Sequence, residues 1–227
     1  MEARAGQAIE VDLQLVLAAD VSGSMSLSEL RLQRDGYVDA FRQGDVAEAI
    51  LSGALGRVAV TYVEWAGRDD QVVVVPWMVL ADGRDIADFT RRLAAAPAAV
   101  GGRGSHTTLS SGLLFCARQF RASGLRSYRK TIDMSGDGIG DDGPPIAWAR
   151  EQVLGEGITI NGLSVELPET NPYGPFAAMF RSSPGDVHAY YRDEVIGGPG
   201  AFVLAVNDLA DFPAAIRRKL VLEIASR

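Results

Sequence analysis

Residues 11–19 read VDLQLVLAA and lead directly into DVSGS at 20–24. The first of these stretches begins with alternating apolar and polar residues and ends almost wholly apolar. That pattern is typical of a strand that enters the middle of a sheet covered on both faces. The loop that follows carries the carboxylate of Asp20 and the hydroxyls of Ser22 and Ser24. The sequence therefore predicts a buried first strand that delivers polar side chains at its carboxyl end.

Strands and helices alternate along the rest of the chain. Apolar residues at helical spacing predict helices after Ser26, at 84–95, at 108–120, after Pro144 and at 209–220. Further strands are predicted at 57–66, 71–80, 130–135, 157–165 and 201–206. The repeated β-α order indicates an α/β fold of the doubly wound, Rossmann-like kind, with a mostly parallel central sheet and helices on both faces.

One pair of predicted strands breaks the parallel order. The runs at 57–66 and 71–80 are joined by the short polar segment 67–70, which is typical of a hairpin turn. Pro76 lies inside the second run and cannot donate a ladder hydrogen bond, so that run belongs at the edge of a sheet. We therefore expect one antiparallel edge strand.

The length of 227 residues suits a single domain over 1–227, large enough to bury a core without disulfides or zinc. Residues 1–8 are expected to form a short N-terminal tail. Residues 167–200 hold several prolines and a glycine cluster around a possible helix at 189–195. We expect this segment to be a long irregular insertion or loop.

Charge and composition exclude several functional classes. Twenty-two basic and twenty-nine acidic residues give a net charge of −7, which removes the attraction to phosphate that drives most nucleic-acid binding. No apolar run reaches the ~18 residues of a membrane-spanning helix. One cysteine and two histidines cannot build a thiolate or histidine-rich metal site, so any metal must be held by oxygen.

Three separated segments place polar side chains where strands end and helices begin. Beside the 20–24 loop, Thr107 and Thr108 precede a predicted helix after a glycine-rich loop, and Asp137 follows a second central strand. Open α/β sheets bind their ligands at the carboxyl ends of the strands. A D-x-S-x-S string alone is weak evidence, because its oxygens also suit a polar turn and a helix cap. The shared position of the three segments favours a site.

These segments resemble the von Willebrand factor type A domain with its metal-ion-dependent adhesion site (MIDAS). The pattern of that family is D-x-S-x-S after the first strand, a threonine heading a later helix and an Asp-Gly after a middle strand. The resemblance implies metal ligands at Asp20, Ser22, Ser24, Thr107 and Asp137. The wider pattern, including LQRDGY at 32–37, SGDG at 135–138 and IGGPGAF at 196–202, also resembles an uncharacterised bacterial family of unknown function within that superfamily.

Two features depart from the family pattern. The usual Thr-Asp-Gly is replaced by Ser135, Gly136, Asp137 and Gly138, and Thr107 is followed by Thr108, so that either threonine is a candidate ligand. Members of the bacterial family are commonly exported, and residues 1–8 show no secretory signal. The resemblance therefore favours a mature periplasmic or secreted protein, while a cytosolic one stays open.

Two carboxylates and up to three hydroxyls form an incomplete oxygen shell for Mg²⁺, which prefers six oxygen ligands at about 2.0–2.1 Å. Mn²⁺ fits equally, and Ca²⁺ is also possible. The two negative charges balance the ion and the hydroxyls are neutral, so the cation stays attractive to an incoming carboxylate. We therefore expect a protein-binding module whose metal holds an Asp or Glu of a protein partner.

Two alternatives use the same residues. One is a metal-dependent hydrolase with His106 or Asp141 as the base, and the other is a scaffold with a vestigial metal site. We expect no enzyme and no catalytic residues, because His106 and His188 are the only histidines and the acidic ligands are committed to the cation. Asp142 follows Asp141 and is expected to anchor water at most, and Cys116 to be a buried thiol.

Overall fold

The structure is a computed structural model that describes residues 8–23, 27–97, 107–139, 143–166 and 186–226. Within these ranges six strands form one sheet in the order β3-β2-β1-β4-β5-β6. The strands are β1 (Glu10–Asp20), β2 (Val58–Trp65), β3 (Gln71–Leu80), β4 (Arg126–Gly136), β5 (Thr159–Val165) and β6 (Val203–Val206). The sheet is parallel except for β3, which pairs antiparallel with β2 at one edge and contains Pro76. The predicted mostly parallel sheet with one antiparallel edge strand is confirmed.

Helices cover both faces of this sheet. They are α1 (Leu27–Phe41), α2 (Gly44–Leu51), α3 (Gly83–Ala95), α4 (Leu109–Ala122), α5 (Ile146–Gly155), the short α6 (Val187–Tyr190) and α7 (Phe212–Ala225). A π-helical turn, Tyr191–Val195, continues α6, and a 3₁₀ turn, Leu209–Asp211, precedes α7. None of the helices in the described ranges combines the length and the apolar character that a membrane crossing requires.

The two faces carry separate hydrophobic cores. Helices α1, α2, α3 and α7 pack on one face, and α4, α5 and α6 pack on the other. Along β1, Leu15 and Leu17 belong to the first core, whereas Val16 and Ala18 belong to the second. Because successive side chains of a strand point to opposite faces, Asp20 points to the side of α4, α5 and α6.

The structure differs from the sequence-based expectation in three segments, one of which is α2, a helix that the sequence analysis does not predict. Strand β4 begins at Arg126 rather than at residue 130, because its first half pairs with β1 while its side chains are exposed or half-buried. An apolar pattern therefore could not reveal that half. In the stretch 186–200, expected to be irregular around a possible helix, α6 and the π-helical turn occupy 187–195. Residues 167–185 lie outside the described ranges.

A buried charged cluster joins α7 to the sheet on the first face. The Lys219 ammonium contacts Asp133 Oδ1 at 2.8 Å and Glu223 Oε1. Tyr37 donates to Asp133 Oδ2 at 3.3 Å, and Asn161 Nδ2 donates to Glu223 Oε1 at 3.0 Å. All five side chains are buried. One ammonium thus serves two carboxylates, and burial, followed by the Asp133 charge, raises the pKa of Glu223 to about 7.

This cluster predicts a pH-dependent stability. The folded protein holds the Glu223 proton more tightly than the unfolded chain, where the pKa is near 4.5, so the free energy of unfolding should fall as pH rises from about 4.5 to about 7. Glu223→Gln cannot titrate at this position and should show a smaller slope than the wild type in urea unfolding measured across that range. Glu151→Gln, at an exposed position of α5, is the control and should keep the wild-type slope. A Glu223→Gln protein with the wild-type slope would contradict the prediction.

Candidate metal centre

Asp20 ends β1 and lies fully buried, at 0% exposure, opposite Trp65 of β2. The backbone N–H of Ser22 donates to Asp20 Oδ1 at 2.7 Å, so the loop turns back over its own carboxylate. The second oxygen, Oδ2, has no hydrogen-bond partner among the residues that the structure describes. A buried carboxylate oxygen without a donor is costly. Asp20 therefore has one carboxylate oxygen that the described residues leave without a donor.

The turn after β1 is held by hydrogen bonds that involve α1 and the two neighbouring strands. Gln33 of α1 donates from Nε2 to the backbone carbonyl of Asp20 at 3.0 Å. The Oε1 of Gln33 in turn accepts from the Ser135 hydroxyl at 3.2 Å, and the Val21 N–H donates to the Trp65 carbonyl at 2.8 Å. The position of the Asp20 carboxylate is thus tied to α1, β2 and β4.

The two threonines before α4 face different glycines. A Cβ added to Gly138 would lie 3.5 Å from Thr107 Oγ1, so Thr107 borders the turn that carries Asp137. The Thr108 side chain lies against Gly143, and its backbone N–H donates to the Ala66 carbonyl at 2.9 Å. The geometry therefore brings Thr107 beside the Asp137 turn, whereas Thr108 anchors the start of α4 to the end of β2.

Asp137 is half-buried after β4 and acts electrostatically on Asp20. Burial, and then the negative charge of Asp137, raise the pKa of Asp20 to about 8, while hydrogen bonds from Ser22 and from the Asp137 backbone act in the opposite direction. The two carboxylates repel each other when both are ionised, and the Asp20 carboxylate is also desolvated. A bound cation would remove both the repulsion and the desolvation penalty.

The chemistry of these groups fits a hard divalent cation. Carboxylate and hydroxyl oxygens from Asp20, Ser22, Thr107 and Asp137 are the donor types that Mg²⁺ and Mn²⁺ prefer. Within the described residues there is no group of three or more His, Cys, Asp and Glu side chains that could hold a metal. A cation bound beside Asp20 would be held by the oxygens of these side chains. Ser24, His106, Asp141 and Asp142 lie outside the described ranges.

The other candidate reactive residues are engaged elsewhere. His188 Nδ1 lies 3.1 Å from the hydroxyl of Ser164, a residue at 0% exposure, and the His188 backbone N–H donates to Glu166. Glu166 therefore bonds the backbone and not the imidazole ring, which differs from a catalytic triad. Cys116 is fully buried in α4, and burial raises the pKa of its thiol, as expected for an inert core cysteine.

Two residues near the centre escaped the sequence analysis. Gln33 is a polar residue on the buried side of α1, a signal that could have been noticed. Tyr191 opens the π-helical turn, and its fully buried hydroxyl approaches the Asp20 carboxylate from the α6 side of the sheet. Nothing in the local sequence pattern around Tyr191 points to the loop at 20–24, which lies far away along the chain.

Known proteins were compared with the chain by sequence and by structure. Residues 10–227 match the family described as "Protein of unknown function (DUF1194)". No curated protein has a significantly similar sequence. Proximal thread matrix protein 1 (PTMP1) from the mussel byssus has a similar structure, with a TM-score of 0.65 at 15% identity over 96% of this chain and 49% of PTMP1. The chain thus spans about half the length of PTMP1.

Two more solved structures extend this comparison. PTMP1 with a zinc-occupied MIDAS motif gives a TM-score of 0.62 at 16% identity, over 96% of this chain and 49% of that one. The vWF domain of the type V pili tip protein Mfa5 from Porphyromonas gingivalis gives 0.59 at 11% identity, over 97% and 98%. At these identities the similarity shows the fold, which is the one that the sequence resemblance implied. The chain belongs to the DUF1194 family and has the fold of a von Willebrand factor type A domain.

Proposed function

We propose that this protein is a divalent-metal-dependent protein-binding module. Asp20, Ser22, Thr107 and Asp137 would hold the cation, together with Ser24 from the same loop. The observation that carries the proposal is the buried Asp20 carboxylate, which has one oxygen without a partner among the described residues and the negative Asp137 beside it. A zinc-occupied MIDAS motif in PTMP1, which has the same fold, supports a divalent cation at this edge.

The charges of the ligand set favour an acidic partner. Two carboxylates neutralise a divalent ion, and the remaining ligands are neutral hydroxyls, so the bound cation supplies an electrophilic position for one further carboxylate. The protein's own contribution is to orient the ligands. Ser22 N–H fixes Asp20 Oδ1, Gln33 holds the backbone at Asp20, and burial keeps water from the inner side of the site. We infer an Asp or Glu side chain of a protein partner as the docked group.

We propose a binding role rather than catalysis. In the described part of the chain, the site residues carry carboxylates and hydroxyls, and the His188 ring contacts Ser164. General base catalysis needs a group with a free lone pair within reach of the reacting proton. Two of the proteins with this fold are a thread matrix protein and a pilus tip protein, which supports a role in attachment.

Metal binding should be visible as a change in thermal stability. Mg²⁺ or Mn²⁺ should raise the Tm of the wild-type protein by an amount that grows with concentration as RT ln(1 + [L]/Kd). Asp20→Asn keeps the shape of the side chain but removes its charge, so this metal-induced shift should disappear. In EDTA the variant should melt at or above the wild-type temperature, because it no longer buries an unpaired carboxylate.

Asp45→Asn is the matched control. Asp45 is exposed, pairs with Arg217 and is not one of the site residues. It should keep the full metal-induced shift. If Asp20→Asn responded to Mg²⁺ as the wild type does, Asp20 would not be a metal ligand and the proposed site would be wrong.

The two threonines can be separated by isosteric substitution. Thr107→Val removes the hydroxyl that borders the Asp137 turn and should weaken Mn²⁺ binding by about tenfold or more in calorimetric titration, as loss of a ligand or of its support does elsewhere. The methyl group of Thr108, and not its hydroxyl, faces Gly143, so Thr108→Val keeps this contact and should leave the Kd within about twofold. The reverse order would assign the ligand to Thr108.

The partner can be sought with the same variants. Immobilised wild-type protein should retain a protein partner from cell extract in Mg²⁺ and release it in EDTA, and the Asp20→Asn protein should retain none of it. Replacing the acidic residues of the captured protein one at a time by Asn or Gln should identify a single carboxylate that abolishes capture. Capture that persists in EDTA and in Asp20→Asn would exclude metal-mediated docking.

A further inference from the structure

Tyr191 lies in a gap that two glycines leave in the sheet. Gly162 of β5 and Gly136 of β4 both point to the face on which α6 packs, because they continue the alternation of Ile160 and Met134. A Cβ added to Gly162 would lie 2.8 Å from Tyr191 Cδ1, and one added to Gly136 would lie 2.6 Å from the Tyr191 hydroxyl oxygen. A residue with a Cβ atom at either position would clash with Tyr191. Both glycines are therefore needed for the tyrosine to lie across the two strands.

The far end of the ring reaches the metal centre. The same Cβ position at Gly136 would lie 2.8 Å from Asp20 Oδ2, so the Tyr191 hydroxyl and the Asp20 carboxylate both lie close to one point. Neither oxygen has a hydrogen-bond partner among the described residues. Both are buried, and an unsatisfied hydroxyl in such a place costs about 1–3 kcal/mol. A hydrogen-bond donor, the Tyr191 hydroxyl, and an acceptor, Asp20 Oδ2, thus lie near each other without a partner among the described residues.

We propose that Tyr191 is a positioning residue of the metal centre, whose hydroxyl donates to the Asp20 carboxylate when a cation is bound. The assignment rests on the proposed function, because the cation keeps Asp20 ionised and so keeps both of its oxygens available as acceptors. Groups that hydrogen-bond a ligating carboxylate fix its orientation and affect metal affinity. Tyr191 would do this from a segment that the MIDAS pattern does not include.

The local backbone supports a role beyond packing. Tyr191 is the first residue of the π-helical turn Tyr191–Val195, and its carbonyl accepts from the Ile196 N–H at 2.9 Å. π-helical turns are rare and occur often at functional sites. The proposal also explains one departure from the family pattern. Glycine stands at 136, directly before Asp137, because any Cβ there would displace the Tyr191 hydroxyl or the Asp20 carboxylate.

The test compares metal affinity with metal-free stability for a variant that keeps the ring. Tyr191→Phe should weaken Mn²⁺ binding about tenfold in calorimetric titration, the lower end of what lost outer-sphere partners cost elsewhere. Its Tm in EDTA should be equal to or above that of the wild type, since the variant buries one polar group fewer. A residue with only a packing role would leave the Kd unchanged.

Tyr37→Phe is the matched control. Tyr37 is equally buried, but its hydroxyl donates to Asp133 on the opposite face of the sheet. This variant should lower the Tm in EDTA and leave the Kd for Mn²⁺ unchanged. The two tyrosines should therefore show opposite effects on stability and on metal affinity.

Gly136→Ala provides a second measurement through a double-mutant cycle. In the wild-type background its Cβ meets both the Tyr191 hydroxyl and Asp20, whereas in Tyr191→Phe the first of these contacts is gone. The loss of Mn²⁺ affinity caused by Gly136→Ala should therefore be smaller in the Tyr191→Phe background. Additive losses, or a wild-type Kd for Tyr191→Phe, would overturn the assignment.

Failure of this assignment differs from failure of the proposed function. If the wild type binds Mn²⁺, Asp20→Asn does not and Tyr191→Phe binds as the wild type, the metal centre stands and Tyr191 is only a packing residue. If the wild type itself binds neither Mn²⁺ nor Mg²⁺, the proposed function is wrong and the role of Tyr191 falls with it.

Discussion

The burial of β1 between two parallel neighbours is the constraint on which the rest of the structure depends. With β2 on one side and β4 on the other, the strand has no free edge, and helices cover both of its faces. Its last residue, Asp20, is therefore buried, with 0% of its surface exposed. A carboxylate there requires hydrogen-bond donors or a cation, and the surrounding loops supply the donors only in part. The chemistry of the centre follows from this position.

Both faces of the sheet bury carboxylates, but the charge next to these carboxylates differs between the two faces. On the α7 side, the buried carboxylates of Asp133 and Glu223 share the Lys219 ammonium, which the fold itself provides. On the α4 and α6 side, the charged side chain that acts most strongly on Asp20 is Asp137, which is also negative. The first cluster thus has its counter-ion within the fold, while the second is completed by an ion in our proposal. In our proposal, buried charge therefore stabilises the fold on one face and binds a cation on the other.

Most of the fold could be predicted from local pattern. Three local patterns indicate which residues are buried: the apolar run of β1, the hairpin with Pro76 and the alternation of strands with amphipathic helices. A sheet with such a pattern of burial has few possible topologies. The first half of β4 could not be predicted, because pairing with β1 and not burial makes it a strand. The length of a strand thus depends on pairing with its neighbour as well as on its own residues.

The sequence by itself showed polar side chains at Asp20, Ser22, Ser24, Thr107 and Asp137, after strands or before a helix, and its resemblance to the von Willebrand factor type A domain implied that they are metal ligands. It left Thr107 and Thr108 equivalent, because adjacent residues share the same local signals, and their different neighbours, Gly138 and Gly143, come from a distant loop. Only the tertiary structure placed Tyr191 beside Asp20. A contact between residues so far apart depends on strand order and on the space left by Gly136 and Gly162, and local sequence carries neither.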